Sequence, residues 1–261
     1  TAAFRRAGML RVYELDELFT AAQTLALARV PASPGRLAIL TNGGGIGILA
    51  TDKLIDVGGT LAELSPGTIE ALSKVLPGGW SHGNPVDIIG DAPPERFAAA
   101  AAILRDDPDV DALLALNCPT AIADPVAAAA KVIEAVAGSG LCVMSSWIGE
   151  ATAQEARRRF AAARIPTYET PEEAVRAYGH LIEYRRNRAL LMETPPSMPT
   201  SFQVAMEPVR AIIDKALAEQ REMLTGPEAQ EILAAYGVPT TRAVVAPTPA
   251  EARAAAAGIG G

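Results

Sequence analysis

The chain has 261 residues, enough for one generous core or two small ones, and its 49% apolar share comes largely from alanine. No stretch reaches the ~18 apolar residues of a membrane helix and no charged-then-apolar leader opens the chain, so a soluble protein without a membrane partner is expected. A net charge of −7 argues against nucleic acid, and two distant cysteines, Cys118 and Cys142, argue against a disulfide framework or a metal site, which fits a cytoplasmic location.

Apolar residues spaced near 3.6 predict a helix over 12–29, through Leu15, Leu18, Phe19, Ala22, Leu25 and Leu27. Pro31, Ser33, Pro34 and Gly35 break it. Five short apolar runs follow, at Leu37–Leu40, Thr60–Leu64, Ala112–Leu116, Leu141–Met144 and Ile165–Tyr168. Alanine-rich amphipathic stretches lie between and after them at 46–57, 66–75, 94–104, 124–137, 150–163 and 171–192. Continuous apolar strands alternating with helices predict an α/β fold: a flavodoxin-like, doubly wound, five-stranded parallel sheet over 36–192.

The proline-rich segment 193–201 reads as a linker, and a helix is expected near 203–221. Thr225-Gly226-Pro227-Glu228 marks a helix start, Tyr236-Gly237 its end, a short strand is expected at 241–246, and Thr248–Glu251 opens another helix. The expected organisation is therefore 1–35 as the tail of a preceding domain with a connecting helix, 36–192 as the sheet domain, 193–221 as linker and helix, and 222–261 as the start of a truncated second α/β domain.

The segment running from Leu40 through Asn42, Gly43, Gly44 and Gly45 into Ile46 takes an apolar strand directly into glycines and then a helix. Without side chains in the way, several backbone N–H groups can close on one anion, and the helix N-terminus adds partial positive charge. A tight turn would need only one glycine. Residues 45–50 also match GxGxxA, with Glu63 near the end of the next strand, which is formally a dinucleotide fingerprint but starts two residues late. A second loop, Ser81–Ile88, contains Asn84, which Pro85 forces out of the helical region, and Asp87; both can fix a loop through its backbone. At the sheet's carboxyl edge it would support the glycine turn or act as a structural Asx turn. His82 lies beside it with no orienting partner visible in the sequence, Ser145–Trp147 end the fourth strand, and His180 falls on a helix face.

These segments carry a family resemblance. Residues 41–54 (TNGGGIGILATDKL), 84–92 (NPVDIIGDA), the strand end Asn117–Thr120 and residues 166–187 resemble the second flavodoxin-like domain of NDP-forming acyl-CoA synthetases. Residues 2–26 resemble the tail of the preceding ligase domain, and 224–256 the opening of an ATP-grasp domain. The resemblance implies an acid–CoA ligase that uses ATP, Mg and CoA and works through a phosphohistidine on another domain of the same polypeptide. By position, Asn42, Gly43, Gly44 and Gly45 would cradle the phosphoryl group, Asn84 and Asp87 would form the neighbouring loop, and Thr120 would lie near the acyl phosphate. The histidine belongs to a Ser-His-Thr-Gly motif upstream of this segment, so the chain itself is expected to carry no catalytic residue and to lack activity in isolation. A small carboxylic acid would be the substrate, the CoA-binding and phosphohistidine domains the partners, and a homo-oligomer is compatible with it. Two other readings share parts of the sequence: a ligase-like regulatory region of a protein lysine acetyltransferase, and a dinucleotide-dependent oxidoreductase resting on GxGxxA alone.

Overall fold

The computed structural model describes residues 2–31, 35–193, 205–241 and 244–259, and the chain divides into two compact units, Thr1–Glu193 and Thr194–Gly261. The first opens with α1 (Ala2–Arg6) and α2 (Leu15–Leu27), then alternates β1 (Arg36–Thr41), α3 (Gly44–Asp56), β2 (Thr60–Leu61), α4 (Pro66–Val75), β3 (Val86–Asp87) and α5 (Pro94–Arg105). It continues through β4 (Ala112–Asn117), α6 (Pro125–Val136), β5 (Cys142–Trp147), α7 (Ala151–Ala162), β6 (Thr167–Tyr168) and α8 (Pro171–Met192). Three helix starts follow one local rule. Ser65, Asp124 and Thr170 each precede a proline and accept a backbone N–H of the first turn, from Thr68, Val126 and Glu173 respectively.

All strand pairings among the described residues are parallel. The sheet runs β2-β1-β4-β5-β6, with β3 also on β1. β2 pairs with Arg36 and Leu37 at the start of β1, and β3 with Leu40 and Thr41 at its end. The five expected strands are thus present, and a sixth, Val86–Asp87, occupies what reads in the sequence as loop. Period-2 analysis misses it because two residues are too short to show a pattern.

Alternate strand residues face two helical layers. Leu40, Leu113, Ala115, Val143 and Trp147 pack with Phe97 of α5, Val132 of α6 and Phe160 of α7. Leu37, Ile39, Leu114, Leu116 and Met144 pack with Leu54 of α3 and Val175, Tyr178 and Leu181 of α8. Each fully buried side chain of this size contributes roughly 1.5–3 kcal/mol, so the central strands anchor everything at their carboxyl ends.

The helix expected over 12–29 forms, but its buried face differs from the expected one. Ala21 and Thr24 are inside, with Thr24 Oγ1 bonded to Tyr168 Oη at 2.6 Å, while Leu15, Leu18 and Phe19 are exposed. Asn187 of α8 ties residues ahead of α2 to the same unit by donating to Met9 O at 2.8 Å.

The second unit contains α9 (Met206–Ala218), α10 (Gly226–Ala235) and α11 (Pro249–Ile259). The start of α10 is fixed by Glu228, which accepts the N–H of Thr225 at 2.8 Å and is gripped by Arg221. The guanidinium holds the Glu228 carboxyl down at about 2. Except for Glu193, the expected linker 193–201 lies outside the described residues. The strand expected over 241–246 includes two residues outside them; Thr241 and Val244–Ala246 are not in a strand. Among the described residues no helix is long and apolar enough to cross a membrane.

Candidate functional site

The carboxyl edge of the sheet is where β1 and β4 each end an apolar run in asparagine. Thr41 pairs with Leu116, so Asn42 and Asn117 stand side by side one residue further on. Asn42 is 2% exposed, and its amide is fully committed: Nδ2 donates to Cys118 O at 3.0 Å and Oδ1 accepts Cys118 N–H at 2.7 Å. Its side chain therefore locks two strand ends together and does not point at an incoming anion. Asn117 is 1% exposed, and neither of its amide atoms has a partner among the described residues. Sequence reading did not single it out as a site residue; the available signal is the parallel ending of the two strands, Leu-Thr-Asn and Ala-Leu-Asn.

The three glycines differ in their reasons for being glycine. None has a positive φ, so the turn does not need them for backbone freedom. A Cβ on Gly43 would stand 2.9 Å from Cys118 Cβ, and one on Gly44 would stand 2.9 Å from Asp87 Oδ2. Gly45 has open space around the same position. Gly43 is the N-cap of α3 without any side-chain cap, and the first turn carries no acidic residue. The first helical bond is Gly47 N–H to Gly43 O at 3.3 Å, which leaves the N–H groups of Gly44, Gly45 and Ile46 without intrahelical acceptors. The helix starts two residues earlier than its sequence pattern indicates, so Gly45, Gly47 and Ala50 all lie inside α3. A dinucleotide fingerprint needs its first glycine in the turn, and the GxGxxA reading fails on that geometry.

The loop before α5 brings Asn84, Asp87 and Gly90 to this edge. Asn84 is not an Asx turn: its Oδ1 accepts Ile39 N–H, and its Nδ2 donates to Leu37 O and Ala62 O, each at 2.9 Å. Asp87 does close its own turn, with Oδ1 accepting Ile89 N–H at 2.9 Å and Oδ2 beside Gly44. Ser81 Oγ pins the loop by donating to Pro85 O at 2.6 Å and accepting Asp87 N–H at 2.9 Å. Ile89 has φ 70, which strains a β-branched residue. A Cβ on Gly90 would meet Asn42 O at 3.6 Å and Thr120 Cγ2 at 3.8 Å, so Thr120 is brought to the turn as well. Its Oγ1 is buried without a partner among the described residues. His82 turns away into solvent, with its Nε2 3.2 Å from Gly78 O and its ring against Trp80 at 4.7 Å. Ser145 and Ser146 are fully buried in β5.

Comparison with known proteins gives this arrangement a family. Residues 37–193 match the Ligase-CoA domain and residues 215–261 an ATP-grasp domain. The chain is 34% identical over 99% of its length to acetate–CoA ligase [ADP-forming] I of Archaeoglobus fulgidus, and 28% identical over 99% to 4-hydroxybutyrate–CoA ligase [ADP-forming] of Nitrosopumilus maritimus. It spans 36% of each of those relatives. Among solved structures it is similar to the dinucleotide forming acetyl-coenzyme A synthetase 1 of Ca. Korarchaeum cryptofilum, with a TM-score of 0.69 and 33% identity over 73% of this chain and 42% of that one. With the Ligase-CoA match running through the whole parallel sheet, the chain belongs to the NDP-forming acyl-CoA synthetase family.

Proposed function

We propose that the chain supplies the phosphoryl-holding turn of an acid–CoA ligase. The overall reaction joins a small carboxylic acid to CoA while ATP becomes ADP and phosphate. In this reading another domain of the longer protein brings a phosphohistidine to the carboxyl edge of the sheet. The N–H groups of Gly44, Gly45 and Ile46 then receive phosphoryl oxygens, helped by the α3 dipole. ATP with its Mg and CoA would be held by parts of the longer relatives that this chain does not span, in the cytoplasm, where these co-substrates are abundant.

The observation that carries the reading is Gly45. It needs no positive φ and a Cβ there would meet nothing, so neither backbone conformation nor internal packing accounts for it. Its place in the first turn of α3 leaves room for an anion to approach the free N–H groups there. No Lys or Arg occurs between Arg36 and Lys53, so an anion at this turn would be held by main-chain donors. Asn42 acts as the clamp behind the turn, Asn84 and Asp87 as its support, and the unpartnered Thr120 hydroxyl as a donor toward the acyl side.

The test is Gly45→Val in the full-length protein. Phosphoenzyme formation from γ-labelled ATP is expected to fall roughly 100-fold, as when an oxyanion-hole donor is lost, while the thermal midpoint stays near wild type. Wild-type phosphorylation rates in both directions would remove the cradle from this turn.

A further inference from the structure

A cavity of mixed polar and apolar lining lies on the α8 side of the first unit, at the opposite end of α3 from the glycine turn. Its volume is about 440 Å3, and α1, the segment leading into α2, the end of α3 and α8 enclose it. A 13-residue helix spans roughly 20 Å, so the two sites do not overlap. Val57–Gly59, at the carboxyl end of α3, form part of its wall. Main-chain groups there present carbonyls, so an anion would have to be held by side chains.

The side chains are suited to that. Arg5, Arg11, Arg176 and Arg186 line the cavity against two carboxylates, Glu17 and Glu183, in a chain whose net charge is −7. Among the described residues Arg5, Arg176 and Arg186 make no hydrogen bond or ion pair, although Glu17 and Glu183 are close by. Glu17 is turned instead to the N–H of Tyr13 at 3.0 Å. His180 also lines the cavity; it is 9% exposed, and its Nδ1 is buried with no hydrogen-bond partner among the described residues. Ile182, Leu190 and Tyr13 add apolar and aromatic wall beside Asn187, whose amide is held by Met9 O, and the Arg11 guanidinium stands 4.6 Å from the Tyr13 ring centre.

Three guanidinium groups lining one cavity without partners among the described residues, those of Arg5, Arg176 and Arg186, match an anion of more than one charge, and their planar forks fit phosphate oxygens. One carboxylate would leave most of them unmatched. The cavity volume falls in the range of small-molecule sites, and the apolar walls suit a ligand with a ring or chain behind its charged head. We propose that this cavity binds a small organic phosphate of about mononucleotide size, at a site separate from the glycine turn. The assignment goes beyond the ligase reading and does not depend on it.

The chain's two histidines make the test direct, because His180 lines this cavity and His82 lies on the loop beside the glycine turn. ADP is titrated into the 261-residue chain while the two imidazole C2–H signals are followed by NMR. The His180 signal is expected to shift saturably and the His82 signal to stay in place. Adenosine, which has the ring without the charge, should move neither, and added salt should weaken ADP binding. Arg176→Gln combined with Arg186→Gln should lower affinity at least about tenfold, the weight of one charge-assisted contact, with an unchanged circular dichroism spectrum. If the double variant does not fold, Arg5→Gln, on an exposed position of α1, carries the same comparison. The proposal is overturned if ADP at millimolar concentration leaves His180 unmoved, if the variants bind as wild type does, or if His82 alone responds.

Discussion

The side-chain oxygen of Asn84 accepts the N–H of Ile39 at 2.9 Å and so takes the place of a missing stretch of strand. β2 stops at Leu61 and β3 begins at Val86, leaving the middle of β1 unpaired on that side. One amide fills the gap from three bonds, reaching Ile39, Leu37 and Ala62. Asn84→Ala should lower stability by about 2 kcal/mol or more, since it strands backbone groups in a part-buried place. Asn84→Asp should fare no better, because a carboxylate cannot donate to the two carbonyls. Urea unfolding midpoints check both.

The glycine turn predicts opposite signs for neighbouring substitutions. Gly45→Ala adds a methyl in open space within the first turn of α3 and should raise stability by about 0.5–1 kcal/mol. Gly44→Ala puts its methyl against Asp87 Oδ2, whose partner oxygen is held by Ile89, and should lower it. Thermal unfolding of the two variants side by side decides this.

Asn42→Ala removes both bonds to Cys118 from a site that is 2% exposed. A loss of about 2 kcal/mol or more is expected, together with loosening of the β1 and β4 ends. Chemical denaturation gives the first quantity, and amide exchange at Cys118 the second; an unchanged exchange rate there would contradict the clamp.

Burial disfavours the charged form of His180 and sets its pKa below the usual histidine value, with Arg176 adding to this while Glu17 and Glu183 oppose it. The unfolded chain therefore takes up a proton near pH ~6.5 that the folded chain refuses. The His180 contribution is complete above that pH and is lost as the pH falls below it. His180→Gln should flatten the stability profile below about pH 6.5 relative to wild type. Parallel slopes for the two proteins would count against it.

The two thiols should separate cleanly. Burial pushes Cys142 up to about 12, whereas Cys118 is only half-buried. An aromatic disulfide reagent at pH 8 is expected to titrate Cys118 in the native chain and Cys142 only after denaturation. Two equivalents released at one rate from native protein would contradict the burial of Cys142.

Much of this fold is legible because its signals are local. Ser65, Asp124 and Thr170 announce helix starts with a proline behind them, and β1, β4 and β5 stand out as apolar runs. The face of α2 was not legible: Leu15, Leu18 and Phe19 carry the apolar spacing, yet Thr24 goes inside, because a hydrogen bond to Tyr168 satisfies its hydroxyl across 144 residues of sequence. The same limit applies at the candidate site. The glycines and Asp87 can be picked out, but that Asn42 serves Cys118 and Asn84 serves β1 depends on pairings that span dozens of residues.

The sheet's margins bear on how copies of this chain meet one another. β2 and β3 share one margin and β6 forms the other, and each has two residues. Among the described residues, an incoming strand finds no continuous row of free donors and acceptors along the β2 and β3 margin, since Asn84 already occupies the break between them. Runaway strand-to-strand stacking, the usual hazard of an open sheet, is thus opposed on that margin by one side-chain amide.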